Sequence, residues 1–174
     1  GLNSKIARLI ILQRTELAPP TLVKIRKFFG RYLFTNFISK FLISKESINS
    51  GYYDLMKQEY ILLKNYVEFD NKNILSIGSG VCGLELIINK NEKNSTFAII
   101  EKNYVSKKVK YGWDNNNLEA YNNLKLLKNF LIRNKMENNF EIYDFDQDNF
   151  PNNKFDIIIS LYSLDYHYDF NIYI

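Results

Sequence analysis

A glycine-containing turn near the middle of the chain is the segment most typical of a binding site. Residues 73–87 read NILSIGSGVCGLELI, which predicts a strand, a turn that contains Gly78, Gly80 and Gly83, and then a helix. Glycine lets a ligand approach the backbone closely, and the start of a helix offers free N–H groups and partial positive charge. The turn is therefore a candidate ligand site, with a purely structural turn as the alternative.

The segment that follows supplies a carboxylate. Residues 95–103, STFAIIEKN, predict a second strand that ends on Glu101. In a βαβ unit, an acid about 20 residues after the glycine turn can accept hydrogen bonds from two ribose hydroxyl groups. The two segments together predict a site for an adenosine-containing ligand.

Composition limits the class of protein. The chain has 174 residues, of which 46% are hydrophobic and 24% charged, so it fits one folded domain with a substantial core. The net charge is only +4 and the basic residues are spread along the chain, so we do not expect a nucleic-acid partner. The single cysteine, Cys82, excludes an intramolecular disulfide or a thiolate metal cluster within one chain and fits a reducing, cytoplasmic setting.

The N-terminal part of the chain, residues 1–70, predicts a helical cap. Apolar residues at three- and four-residue steps indicate a helix before Pro19, a second over 21–41 with Thr21 as its cap, and a third over 51–67. Lysine and arginine residues interrupt the second helix, so we expect no membrane span. Packing over a substrate cleft or against another subunit is preferred to a position on a membrane surface.

Helices and strands alternate in residues 71–174. A helix is predicted over about 118–134, a strand over 140–143 and a continuous apolar strand over 155–161. Such apolar runs are typical of strands buried on both faces of a parallel sheet. The predicted fold is therefore an α/β, Rossmann-like unit with a mostly parallel sheet flanked by helices.

Three segments of the chain resemble, in order, the motifs of one enzyme family. These are ILSIGSGVCG, FAIIEKN and DFDQDNFPNNKFDIIISLYSL, and over about residues 74–168 they are similar to class I S-adenosylmethionine-dependent methyltransferases. The resemblance implies that the first motif wraps the methionine part of S-adenosylmethionine, that Glu101 holds the ribose, and that Asp146 binds the adenine with Gln147 beside it. The implied cofactor-binding set is Ser76, Gly78, Ser79, Gly80, Gly83, Glu101, Lys102, Asp146, Gln147, Ser160 and Leu161.

The chain departs from the family pattern in places, and two alternatives follow. The first strand has Ser76 where the family commonly has an acid, and the spacing from Gly80 to Gly83 matches the dinucleotide fingerprint better. An FAD- or NAD-binding oxidoreductase fragment is therefore one alternative. The family sheet continues for several strands beyond Leu161, so the other alternative is a non-catalytic cofactor-binding fragment, stabilised by a homodimer across its sheet edge.

Methyl transfer to a hydroxyl group requires alignment of donor and acceptor and removal of a proton. His167 is the only histidine and follows the last predicted strand, and histidine titrates near neutral pH. We therefore take His167 as the candidate general base and Asp165 as its candidate partner. No metal is required for this chemistry.

The sequence SLYS at 160–163 bears on the methyl acceptor. Methyltransferases that act on amino groups of bases resemble one another in having a polar residue, two prolines and an aromatic residue there, and this chain differs. We therefore expect O-methylation of a small molecule, such as a sugar or a phenolic metabolite. The candidate stacking residues for this acceptor are Trp113, Tyr162, Tyr166 and Tyr168.

Overall fold

The chain folds around one parallel sheet. The structure, a computed structural model, describes residues 3–29, 31–105, 120–136, 139–161 and 163. Its strands are β1 (Asn73–Ile77), β2 (Thr96–Glu101), β3 (Phe140–Asp144) and β4 (Ile157–Ile159). They are all parallel, in the order β3-β2-β1-β4. Helices flank this sheet, which confirms the predicted Rossmann-like α/β fold.

The N-terminal helices are α1 (Ser4–Gln13), α2 (Pro20–Phe29), α3 (Arg31–Phe41) and α4 (Lys45–Lys64), with a 3₁₀ turn at Thr15–Leu17. Helices α2 and α3 together cover the helix predicted over 21–41, apart from residue 30, which lies outside the described ranges. Thr21 is not the cap, since α2 already begins at Pro20, whose missing N–H costs nothing at a first helical position. Helix α4 begins before residue 51 because Ser44 caps it, accepting the Ser47 N–H at 3.1 Å.

Two further helices connect the strands. Helix α5 (Gly83–Asn91) joins β1 to β2, and α6 (Leu124–Arg133) precedes β3. Helix α6 begins later than predicted, because the Asn123 side chain caps it by accepting the Leu126 N–H at 3.0 Å. Tyr121 lies before this cap and forms an antiparallel bridge with Val105. None of the described helices combines the length and the apolar character that a membrane span requires.

The two faces of the sheet have different coverings. On one face, Ile74 and Ile99 belong to a core that also contains buried residues of α1, α3, α4, α5 and α6. The N-terminal helices and the α/β unit therefore share a core. On the other face, a smaller core is built by strand residues and by aromatic residues that follow β3: Leu75, Ile77, Ala98, Ile100, Tyr143, Phe145, Phe150 and Phe155.

The prediction of a strand over 155–161 buried on both faces is wrong. Strand β4 covers only Ile157–Ile159, and Ile158 is 63% exposed. In the described ranges β4 pairs only with β1 and is the edge strand of the sheet. Ile158 pairs with Leu75 and lies on the same face of the sheet. Among the described residues, the core on this face contains no helical residue, so the Ile158 side chain has little to pack against.

Gly83 sets the contact between the helical cap and the α/β unit. A Cβ atom at this position would lie 2.6 Å from Met56 Cγ and 2.6 Å from the Tyr52 ring, both on α4. The Gly83 N–H also donates a hydrogen bond of 3.1 Å to the Tyr52 hydroxyl. Glycine is therefore required here because α4 and α5 approach so closely.

Replacement of Gly83 by alanine should lower the free energy of unfolding by about 1–3 kcal/mol, because the added methyl group overlaps α4. Urea unfolding followed by circular dichroism measures the change. Gly51→Ala is the matched control, since its Cβ would lie 3.3 Å from the Leu17 side chain and alanine favours a helix. Equal effects of the two substitutions would contradict this packing.

Candidate functional site

A cavity of about 470 Å³ lies between the helical cap and the carboxyl ends of β1 and β2. Its walls come from the end of α1, from α4, from the glycine turn, from the start of α5 and from the residues that follow β4. The volume falls within the range of small-molecule sites, about 300–1,000 Å³. In open α/β sheets, ligands bind at this carboxyl edge.

The glycine turn faces the end of β2. Gly78 and Gly80 both have positive φ angles, 65° and 64°, which favour glycine over residues with a side chain. The Gly78 N–H donates to the Ile100 carbonyl at 2.9 Å, and the Gly80 N–H donates to Glu101 Oε1 at 2.5 Å. The turn and the carboxylate predicted from the sequence are therefore in direct contact.

The Glu101 carboxylate is held in the cavity wall by backbone donors. Glu101 is 5% exposed, and its Oε2 accepts the Lys102 N–H at 3.1 Å while its Oε1 accepts that of Gly80. Hydrogen bonds to both oxygens restrict rotation of the carboxylate. The residue is thus fixed in position and compatible with the predicted ribose contact.

A side chain of α1 lies over the glycine turn. Gln13 Nε2 donates to the Tyr121 carbonyl at 2.7 Å, and Gln13 Oε1 lies 2.5 Å from where a Cβ on Gly80 would stand. On the other side, Asn122 Nδ2 donates to the Gly80 carbonyl at 2.5 Å. A ligand that rests on this turn must therefore lie beside Gln13. The sequence predicts Gln13 only as part of the helix before Pro19.

Two acids, the buried Glu85 and the partly buried Glu59, form a second part of the cavity wall. Glu85 is 2% exposed, and burial raises its pKa to about 7, against the effect of the hydrogen bond donated by Ser76 Oγ. Burial also raises the pKa of Glu59, and Arg14 opposes this with bonds of 2.9 and 3.2 Å to the two carboxylate oxygens. A positive group placed beside the Glu85 carboxyl would favour its charged form.

Sequence reasoning does not find these acids. Glutamates in helices usually face solvent, and only the packing of α1, α4 and α5 places Glu59 and Glu85 inside. A weak signal exists for Glu85, because apolar residues surround it in the sequence LELII. Gln13 carries a similar signal, because it is a polar residue on the helix face that also carries Ile6, Leu9 and Ile10.

The structure brings part of the predicted cofactor set together. The predicted residues that line the cavity are Ser76, Gly78, Ser79, Gly80, Glu101 and Leu161. Gly83 instead packs against α4. Ser160 bonds Ser163, whose hydroxyl donates to the Ile77 carbonyl at 2.7 Å, and it is Ser163 that reaches the cavity.

The residues predicted at the adenine lie beside the cavity rather than in its wall. Lys102 Nζ contacts Asp146 Oδ1 at 3.0 Å and lies 4.5 Å from the centre of the Phe145 ring. The side chain of Asp146 is 47% exposed, and Gln147 follows it in an exposed turn. This pair therefore holds the loop after β3 against the end of β2.

Several predicted residues fall outside the described ranges. They are the candidate base His167 and its partner Asp165, and the candidate stacking residues Trp113, Tyr162, Tyr166 and Tyr168. Their roles stay predictions from the sequence.

Comparison with known proteins gives no family assignment. No family model, no curated protein and no solved structure matches the chain. A fold of this class supports many unrelated activities, so function depends on the residues of the site.

The buried Glu85 should make stability depend on pH. Because the folded state raises the pKa of Glu85 from 4.5 to about 7, the folded protein binds more protons between these values. The free energy of unfolding should therefore fall as pH rises from about 4.5 to 7, by up to about 3 kcal/mol from this group. In the Glu85→Gln variant, this part of the pH dependence of the free energy of unfolding should be absent.

Urea unfolding of both proteins at several pH values between 4 and 8 measures the difference. Arg14 and Glu59 face Glu85 and are present in both proteins, so their contributions largely cancel in the comparison. Parallel pH profiles for wild type and Glu85→Gln would show that Glu85 titrates normally.

Proposed function

We propose that the protein is an S-adenosylmethionine-dependent methyltransferase that acts on a hydroxyl group of a small molecule. One observation carries the proposal: the Gly78–Gly80 turn contacts Glu101 across the ends of two adjacent parallel strands, and both line one cavity. A cytoplasmic setting belongs to the same proposal and follows from the sequence.

The adenosine part of the ligand is proposed to lie between the glycine turn and β2. Glu101 accepts the ribose hydroxyl groups, and its backbone hydrogen bonds fix the orientation of its carboxylate before the ligand arrives. Gly78 and Gly80 allow the ligand to approach the backbone. Gln13 of α1 lies over the turn.

Charge favours this ligand over a dinucleotide. The sulfonium and ammonium groups of S-adenosylmethionine are positive, whereas the pyrophosphate of FAD or NAD is negative. Glu59, Glu85 and Glu101 all line the cavity, and Arg14, the basic residue in the described wall, is bound to Glu59. The described wall thus offers an anionic pyrophosphate no basic residue except Arg14, which already binds Glu59, whereas a positive group favours the charged forms of the acids.

When bound, S-adenosylmethionine supplies an electrophilic methyl group. The chain contributes alignment of the acceptor oxygen, exclusion of water by the helical cap, and removal of the acceptor proton. His167 and Asp165 remain the proposed residues for the proton step. Leu161 and Ser163 line the cavity after β4 and are proposed to contact the acceptor.

Isothermal titration calorimetry with S-adenosylhomocysteine tests the proposal. Wild-type protein should bind one molecule per chain, and Glu101→Gln should weaken binding about tenfold or more, because it removes a charged acceptor of hydrogen bonds. Glu141→Gln is the matched control, since this exposed residue of β3 bonds Tyr143 and lies outside the cavity wall.

The same titration with NAD and FAD distinguishes the oxidoreductase alternative. No saturable heat with S-adenosylhomocysteine at millimolar concentration, from a folded sample, would refute the methyltransferase proposal. Unchanged affinity in Glu101→Gln would remove Glu101 from the site.

A further inference from the structure

Glu85 has a hydrogen-bond acceptor that the described chain does not use. Ser76 Oγ donates to Glu85 Oε1, whereas Oε2 is buried and has no hydrogen-bond partner among the described residues. Buried polar atoms in native proteins nearly always have a partner in the protein, a water molecule or a ligand. Glu85 lines the cavity, so a ligand bound there is a candidate source of the missing donor.

We propose that Glu85 binds the α-ammonium group of S-adenosylmethionine, an inference that rests on the function proposed above. An ammonium group carries three N–H donors, so it provides both the opposite charge and the missing hydrogen bond. The sulfonium group is also positive but has no N–H to donate. The geometry of Glu85 therefore favours the amino-acid end of the ligand over the sulfur.

Two other acids of the cavity are less suited to this contact. Arg14 binds both oxygens of Glu59, at 2.9 and 3.2 Å. Backbone N–H groups of Gly80 and Lys102 bind the two oxygens of Glu101, which lies at the end of β2. Glu85 differs from both because Ser76 binds one of its oxygens, whereas the other is buried without a hydrogen-bond partner among the described residues.

Glu85 and Glu101 line the cavity from different elements of the fold. Glu85 belongs to the first turn of α5 and reaches back to Ser76 on β1, whereas Glu101 ends β2. The glycine turn connects β1 to α5 between them. A ligand with a ribose at Glu101 and an amino-acid group at Glu85 would thus cross the glycine turn.

Binding of an ammonium group at Glu85 should release a proton near neutral pH. Burial raises the pKa of Glu85 to about 7, and the ionisable groups around it are Arg14 of α1, Tyr52 and Glu59 of α4, and Cys82 before α5. A positive group beside the carboxylate favours its charged form. Calorimetry at pH 7 in two buffers with different heats of ionisation detects this proton release. The Glu85→Gln variant should bind without releasing the proton.

The decisive comparison uses three ligands on wild type and on Glu85→Gln. S-adenosylmethionine and S-adenosylhomocysteine both carry the ammonium group and differ in the sulfonium charge, whereas 5′-methylthioadenosine lacks the amino-acid part. Glu85→Gln should lower the affinity for the first two ligands about tenfold or more and to the same extent, because a charged hydrogen bond is lost. Its affinity for 5′-methylthioadenosine should be unchanged.

Other outcomes overturn the inference in distinguishable ways. A loss confined to S-adenosylmethionine would assign Glu85 to the sulfonium, and an equal loss for all three ligands, or for none, would remove it from the ammonium. If none of the three binds to the wild-type protein, the proposed function itself fails. Should Glu85→Gln not fold, Ser76→Ala provides a second variant. It should lower the affinity for S-adenosylmethionine and S-adenosylhomocysteine by a smaller factor. Glu141→Gln is the control.

Discussion

The parallel pairing of β1 with β2 brings the candidate site together. Ile77 pairs with Ile100, and the hydrogen bond from the Gly78 N–H to the Ile100 carbonyl continues this register into the glycine turn. Because parallel strands end at the same edge of a sheet, the turn after β1 and the acid at the end of β2 must be neighbours. The contact between Gly80 and Glu101 is the direct result of this register.

The helical cap covers part of this open edge and forms one side of the cavity. Gly83 allows α5 to lie directly against α4, and Gln13 of α1 reaches the carbonyl of Tyr121 over the glycine turn. Burial raises the pKa of Glu85 to about 7 and also raises that of Glu59, which Arg14 opposes. The packing that stabilises the fold therefore also determines the charge of the cavity wall.

The sequence predicts the parts of this molecule that depend on local patterns. Apolar runs and glycines predict the strands, their parallel arrangement and the meeting of the glycine turn with Glu101. It does not predict the start of α6 at Leu124, which the side chain of Asn123 caps, or the exposure of Ile158, because what covers a sheet edge depends on contacts remote in the chain. Glu85 is missed for the same reason, since packing of separate helices determines which acid is buried.

A crystal structure of the protein with S-adenosylhomocysteine tests the central claim most directly. The account predicts the ribose hydroxyl groups within hydrogen-bond distance of Glu101, with the ligand lying across Gly78 and Gly80. A ligand bound outside this cavity would contradict it. So would a ligand inside the cavity whose ribose makes no contact with the end of β2.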